Sequence, residues 1–144
     1  MRMPMTPSGT SYSAVVHSPP DTVDDAHDFL ERVWAERGDV SVPERMVMET
    51  VLSELVTNVI QNNPHRPVFC EVALTITADE LRLETTDTGE PLLGRPEPRM
   101  PGEEAESGRG LALIELMVDE LTYRHDAAGN VWSARKVRGR PQAG

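Results

Sequence analysis

The middle third of the chain constrains the fold most strongly, because the spacing of its apolar residues changes there from a helical to a strand period. Ser41 is followed three positions later by Glu44, the pattern of a helix N-terminal capping box. Apolar residues then recur every four positions, at Val47, Val51, Leu55 and Val59. This spacing predicts an amphipathic helix that ends near Asn62. Because apolar and polar residues alternate in residues 68–77 and 81–86, two antiparallel strands are expected to follow.

The first forty residues predict one strand and one helix ahead of this region. Residues 11–17 alternate weakly, as an edge strand does, with Tyr12, Ala14 and Val16 on one side. The segment 18–21, Ser-Pro-Pro-Asp, has the capping residue, the prolines and the early acidic residue of a helix start. Gly38 marks the expected end of that helix.

The last third predicts a long loop, a helix and a hairpin. Residues 88–107 contain prolines at positions 91, 96, 98 and 101, which is typical of a loop without regular structure. The apolar segment Gly110–Leu121 predicts a helix. Segments 123–125 and 131–137 predict two strands on either side of a turn.

The resulting order is β, α, α, β, β, loop, α, β, β. It favours an α/β (α+β) two-layer sandwich, in which about three helices cover one face of a mostly antiparallel sheet. A length of 144 residues fits one domain. We place this domain at residues 11–137, between a disordered leader at 1–10 and a flexible tail at 138–144.

Charge and apolar content exclude several classes of protein. The formal net charge is −10, and residues 135–140 form the only basic cluster, so direct binding to nucleic acid is not expected. The chain has neither an apolar signal region nor a run of about 18 apolar residues, which predicts a cytoplasmic protein without a membrane segment. The single cysteine, Cys70, alternates with Val68 and Val72 and is expected to be a small buried residue.

Glu54 and Asn58 lie one turn apart at the edge of the apolar face of the predicted central helix. An amide oxygen in this position can coordinate Mg²⁺. A carboxylate one turn earlier can orient or deprotonate an attacking hydroxyl. Two solvated residues of an amphipathic helix would have the same spacing, so the pair does not decide between the two interpretations.

Asp87 and Gly89 end the second of the two central strands. A carboxylate at the core-facing end of a strand needs a hydrogen-bond donor, and the exocyclic amine of adenine is one. Gly89 would let the backbone approach a flat base closely. The alternative is an ordinary turn, because Asp-Thr-Gly is a common turn sequence.

Gly108, Arg109 and Gly110 stand between the long loop and the apolar helix, with Leu111 following. Free N–H groups at a helix N-terminus between glycines form an anion site suited to phosphates. Arg109 could add a bidentate contact to a phosphate. A flexible hinge with a solvated arginine is the alternative. The segment is neither a P-loop nor a dinucleotide-binding fingerprint.

Together the three motifs resemble those of the GHKL (histidine-kinase-like) ATPase superfamily, specifically its small bacterial anti-sigma-factor serine/threonine kinases. The N box of that family is similar to Glu54–Asn58, its G1 box to Asp87–Pro91 and its G2 box to Glu106–Leu111. The continuation 112–121 also fits, and the resemblance covers roughly residues 12–137.

The resemblance implies a Bergerat-type ATP-binding fold with ATP and Mg²⁺ as cofactors. It implies that Glu54 is the catalytic base or orienting carboxylate and that Asn58 binds the metal. Asp87 would recognise adenine, Gly89 would leave room for the base, and residues 92–110 would form a lid over the phosphates. The remaining nucleotide-binding residues carried over are Gly108, Arg109, Gly110 and Leu111.

The resemblance also implies the partners and the reaction. The family transfers the γ-phosphoryl group of ATP to a Ser or Thr of a small antagonist (anti-anti-sigma) protein, and its members sequester a sigma factor, often as homodimers. A catalytically weak, nucleotide-gated binding module is the alternative function. A sensor-kinase fragment is disfavoured because no phosphoacceptor-histidine helix pair precedes the motifs.

Three positions depart from the family pattern. Asn62 stands where a histidine is frequent, one turn after the expected metal ligand. Glu90-Pro91 replaces a glycine-rich continuation of the G1 box. Gly129-Asn130 stands where a threonine often follows the glycine of the last hairpin.

Overall fold

The computed structural model of the chain describes residues 9–91 and 103–139, and for residues 103–109 it describes the backbone alone. The elements are β1 (Thr10–Ser18), α1 (Val23–Glu36), α2 (Val42–Asn62), β2 (Val68–Ile76), β3 (Glu80–Asp87), α3 (Glu103–Met117), β4 (Glu120–Asp126) and β5 (Gly129–Val137). Their order is the predicted one. Most of the expected leader and the end of the expected tail lie outside the described residues, so the domain boundaries stay predictions.

The strands form one sheet in the order β1-β2-β3-β5-β4, with each neighbouring pair antiparallel. Alternate residues of β2 and β3 are buried, and the register places Leu74 opposite Leu83, both with no exposed surface. α2 packs on β2 and β3, while α1 packs on β1 and α2. The structure therefore confirms the predicted two-layer sandwich of an antiparallel sheet and three helices.

The central helix α2 has the bounds that its sequence predicts. The Ser41 hydroxyl accepts a hydrogen bond from the Glu44 N–H, and the Glu44 carboxylate accepts one from the Ser41 N–H, so the capping box is formed. Its core-facing side chains are almost completely buried: Met48, Val51, Leu52, Leu55 and Val56. At 21 residues it is the longest described helix, yet no helix in the described ranges is both long and apolar enough to cross a membrane.

Helix α1 begins later than the sequence predicted. The residue that caps it is Thr22, whose hydroxyl accepts from the Asp24 N–H while the Asp25 carboxylate accepts from the Thr22 N–H. Asp21 instead closes the preceding turn, because its carboxylate accepts a hydrogen bond from the His17 N–H. The expected start at Ser18–Asp21 is therefore wrong, since a complete capping box four residues later satisfies more of the free N–H groups.

Helix α3 is shifted toward the N-terminus relative to its prediction. It begins at Glu103 rather than at Gly110 and ends at Met117 rather than at Leu121. Acidic residues in its first turn favour the earlier start, because they complement the positive end of the helix dipole. Leu121 belongs to β4, where it is buried opposite Ala134 of β5. Both strands of the last hairpin are consequently longer than the segments 123–125 and 131–137.

Candidate active site

A small cavity, open to solvent, lies where the C-terminal half of α2 meets the end of β3 and the β4–β5 hairpin. Its polar lining comes from Asn58, Asn62, Asn63, Asp87, Glu90 and Asn130. Tyr123 and Trp132 form an aromatic wall, with ring centroids 4.8 Å apart. The fold therefore brings residues of the predicted N and G1 boxes to one concave surface.

Asp87 is the most deeply buried carboxylate of this surface, with 2% of its surface exposed. Its Oδ1 accepts hydrogen bonds from the Gly89 N–H (2.8 Å) and the Asn130 Nδ2 (2.9 Å). Its Oδ2 accepts none from the described part of the chain. Burial raises the pKa of Asp87, and the two hydrogen bonds together with nearby His125 oppose that rise. One carboxylate oxygen is thus anchored and the other is available to a ligand.

Cys70 lies opposite Asp87 in the β2–β3 register and is 1% exposed. Burial and the negative charge of Asp87 raise the pKa of the Cys70 thiol to about 12. The thiol is therefore protonated at neutral pH, which agrees with the expected role as a small buried residue and excludes a nucleophile.

The loop that follows Asp87 is fixed by side chains from the end of α2. The Asn63 Oδ1 accepts from the Glu90 N–H at 3.0 Å, and the Arg66 guanidinium contacts the Thr88 carbonyl (2.9 Å) and the Glu90 carboxylate (2.6 Å). A Cβ atom at Gly89 would lie only 3.0 Å from the Asn63 Cγ. The tight packing at Gly89 therefore comes from Asn63, a contact that the sequence did not predict.

Asn58 lines the cavity with 9% of its surface exposed. Within the described ranges its side chain makes no hydrogen bond, and its amide atoms are not fully buried, so they are open to a ligand or to water. Those ranges also contain no group of three or more His, Cys, Asp or Glu residues able to hold a metal ion. The Asn58 amide oxygen is a hard donor, and it fits Mg²⁺ bound through this one protein oxygen, with water and phosphate oxygens as the other ligands.

Glu54 lies one turn before Asn58, half-buried, and is outside the cavity lining. It faces α3: a Cβ atom at Gly110 would lie within 3.0 Å of the Glu54 carboxyl carbon and both its oxygens. Real Cβ atoms do not approach a neighbour that closely, so only glycine at position 110 leaves the carboxylate where it is. The predicted N box and G2 box therefore meet at this contact between α2 and α3.

The remaining G2 residues lie within α3. Because the helix begins at Glu103, its free N–H groups belong to the first turn and not to Gly108–Gly110. The side chain of Arg109 lies outside the described residues, so its contact with phosphate stays a prediction. Leu111 is a core residue, 4% exposed.

Sequence reasoning missed the part that Asn63, Arg66 and Asn130 play in this site. Asn130 was noted only as a departure from a family pattern, yet it lies directly opposite Asp87 in the β3–β5 register. The one available signal was the position of Asn130 at the start of a strand, on the side that alternation predicts to be buried. Asn63 and Arg66 follow the end of a helix, where polar residues are common for other reasons.

A model of the histidine kinase-like ATPase domain matches residues 16–136 of the chain. A comparison with curated proteins found no match. The matched span includes every residue that lines the cavity, together with Glu54 and Gly110.

Proposed function

Because this chain belongs to the family of histidine kinase-like ATPase domains, we propose that it binds ATP in the cavity between α2, β3 and the β4–β5 hairpin. The proposal rests mainly on two polar groups of residues that line the cavity. Asn58 and Asp87 both line this cavity, and neither the Asn58 amide nor the Asp87 Oδ2 has a hydrogen-bond partner in the described part of the chain. Neither group is among the fully buried, unpaired polar atoms of the described residues, so both are accessible to a polar ligand in the open cavity.

The adenine end of the site would be at Asp87. An ionised carboxylate is purely an acceptor, and the exocyclic amine of adenine is a donor that its Oδ2 can receive. Tyr123 and Trp132 offer an apolar wall for the flat base. Gly89, expected from the sequence to leave room for the base, donates its N–H to the Asp87 Oδ1 beside this position.

The phosphate end would be at Asn58, whose amide oxygen would hold Mg²⁺. When bound, the ion supplies positive charge that neutralises the phosphates and orients the γ-phosphoryl group. We further propose that the segment 92–110 covers the phosphates, with Arg109 making the contact rather than the N–H groups of Gly108 and Gly110. An acidic chain of net charge −10 can bind ATP on these terms because the metal offsets much of the charge.

The proposed reaction is transfer of the γ-phosphoryl group of ATP to a Ser or Thr hydroxyl of an antagonist protein. Glu54 would accept the hydroxyl proton as the oxygen–phosphorus bond forms, and ADP would leave with the electrons of the broken bond. The same chain would sequester a sigma factor, as a homodimer in the cytoplasm. The position of Glu54 against the G2 glycine, one turn from the proposed metal ligand, supports this role.

The test compares wild type with Glu54→Gln, which keeps the shape of the side chain but is a far weaker base. We expect both proteins to bind ATP in an Mg²⁺-dependent titration with affinities within about threefold. We expect the variant to transfer labelled phosphate to candidate antagonist proteins at least about a hundredfold more slowly. Glu71→Gln, an exposed carboxylate of β2, is the matched control and should behave as wild type.

Each arm has an outcome that overturns part of the proposal. If wild type does not bind ATP, the whole proposal is wrong. If Glu54→Gln transfers phosphate at the wild-type rate, Glu54 is not the base. If wild type binds ATP and an antagonist but transfers no phosphate in any mixture, the chain is the nucleotide-gated binding module.

A further inference from the structure

Asn130 is the most highly connected polar residue of the cavity, and it is 4% exposed. Its Nδ2 donates toward three oxygens: the Asp87 Oδ1 at 2.9 Å, the Gly89 carbonyl at 3.0 Å and the Glu90 carbonyl at 3.1 Å. Its Oδ1 accepts from the Tyr123 hydroxyl at 2.6 Å and lies 3.1 Å from the His125 Nδ1. One amide therefore joins the β4–β5 hairpin to the whole turn after β3.

The chemistry of these neighbours fixes the orientation of the amide. The two backbone carbonyls and the Asp87 carboxylate oxygen only accept, so they require the nitrogen of Asn130. A rotation that exchanged Nδ2 and Oδ1 would set one oxygen against three others. The Tyr123 hydroxyl then faces the amide oxygen as its donor. The direction of the Asn130–Asp87 hydrogen bond is consequently determined by its surroundings.

This hydrogen bond decides which atom of Asp87 remains for a ligand. The Oδ1 is occupied by the Gly89 N–H and by Asn130, and this leaves the Oδ2 as the acceptor without a partner in the described part of the chain, on a residue that lines the cavity. An acceptor suits a purine with an amino group at position 6, such as adenine. It disfavours hypoxanthine, which presents a carbonyl oxygen there. The donor from Asn130 also stabilises the charge that makes Asp87 an acceptor.

We propose that Asn130 is a positioning residue that gives this site its preference for a 6-amino purine over a 6-oxo purine. It acts through Asp87, by donating to the Oδ1 and leaving the Oδ2 to the base. The inference rests on the proposed ATP-binding function and names the residue that sets the base selectivity of the same site.

The test measures the dissociation constants of ATP and ITP, two nucleotides that differ at position 6 of the purine. Asn130→Asp is nearly isosteric but sets a carboxylate against Asp87, so the two acids share a proton and the acceptor is no longer defined. We expect the ratio of the ITP to the ATP dissociation constant to fall at least about tenfold. Asn58→Ala, which acts at the phosphate end, should weaken both nucleotides and leave the ratio within about twofold of wild type.

A second pair of variants separates the donor from the packing if Asn130→Asp does not fold. Asn130→Thr and Asn130→Val have the same shape, but only the threonine hydroxyl can donate to Asp87. We expect the threonine variant to keep the ATP preference within about threefold and the valine variant to lose most of it. Equal ratios in both, at the wild-type value, would overturn the proposal. Wild type that binds neither nucleotide would instead refute the proposed function itself.

Discussion

At the scale of single residues, the site is organised by contacts that hold Asp87 in place. The Gly89 N–H and the Asn130 amide anchor its side chain, and Gly129 packs against its backbone carbonyl. Burial of this carboxylate raises its pKa, so the charged form depends on the donors around it. The immediate surroundings of Asp87 are therefore as much a part of the site as its own carboxylate.

Gly129 is the residue whose replacement should damage this arrangement most directly. Its φ angle is +121°, and a Cβ atom there would collide with the Asp87 carbonyl oxygen. We expect Gly129→Ala to lower the free energy of unfolding by about 1 to 3 kcal/mol, measured by urea denaturation, because both the backbone angle and the contact are unfavourable. The neighbour is backbone and cannot simply rotate away.

Gly38→Ala is the matched control for this prediction. Nothing lies within 4 Å of a Cβ atom at Gly38, and its φ angle is not positive. We expect its unfolding free energy to equal or exceed that of wild type by up to about 1 kcal/mol, since alanine restricts the unfolded chain. Equal stabilities for the two variants would show that Gly129 tolerates a side chain.

The sequence predicted the residues of the site better than their partners. The inward alternation of β3 predicted a buried Asp87, and the helical spacing of α2 placed Glu54 and Asn58 on one side. Asn130 is 43 positions from Asp87 in the chain, and Asn63 is 27 positions from Glu90. Only the register of β3 with β5 and the end of α2 bring these pairs together, and spacing along one segment cannot report them.

At the scale of elements, the helix boundaries were predicted where local signals set them and missed where contacts with distant segments matter. Both ends of α2 were predicted correctly because its capping box and its final turn are signals in the local sequence. α1 has two competing start signals, and Thr22 with Asp25 forms the better box. α3 was misplaced because Gly108 and Gly110 suggested a boundary, whereas Gly110 lies inside the helix, where its lack of a side chain leaves room for Glu54.

The contact between α2 and α3 gives a prediction of its own. Alanine in place of glycine normally stabilises a helix interior by about 1 kcal/mol. At Gly110 the new methyl group meets the end of a flexible Glu54 side chain, which can move aside. We expect the free energy of unfolding of Gly110→Ala to lie within about 1 kcal/mol of the wild-type value. We expect this variant to transfer phosphate at least about a hundredfold more slowly, because Glu54 is displaced.

The double variant Gly110→Ala with Glu54→Gln distinguishes this mechanism from a general effect on the nucleotide site. The two changes act on one carboxylate, so the double variant should be no slower than Glu54→Gln alone. Additive losses would mean that Gly110 serves another purpose. Transfer at the wild-type rate in Gly110→Ala would mean that the position of Glu54 is unimportant.

At the scale of the whole molecule, the end of the sheet is tied to the start of the central helix. Arg138, just beyond β5, hydrogen-bonds the Thr77 carbonyl at 2.9 Å and the Asp39 carbonyl at 2.8 Å, and its side chain is 10% exposed. It also pairs with the Glu44 carboxylate at 3.5 Å. These contacts join segments 61 to 99 positions apart, although the sequence assigned Arg138 to a flexible tail.

Glu44 therefore has two structural roles, as the carboxylate of the α2 capping box and as a partner of Arg138. Burial alone would raise the pKa of Glu44, but hydrogen bonds from Ser41 and Gly139 and the charge of Arg138 lower it below 4.5. A carboxylate whose pKa is lower in the folded than in the unfolded protein stabilises the fold above the unfolded value. That contribution is lost as the pH falls from about 4.5 through the folded pKa.

Replacing Glu44 should remove this pH-dependent part of the stability. We expect Glu44→Gln to lower the free energy of unfolding at pH 7 by about 1 to 3 kcal/mol, because the variant removes the charged acceptor of the capping box and leaves Arg138 without this carboxylate. The difference from wild type should shrink as the pH is lowered from 4.5 toward 3, in urea unfolding measured at each pH. Glu31→Gln, an exposed carboxylate of α1, should differ little from wild type at every pH. A difference between Glu44→Gln and wild type that stayed constant from pH 7 to 3 would mean that Glu44 acts by its shape and not by its charge.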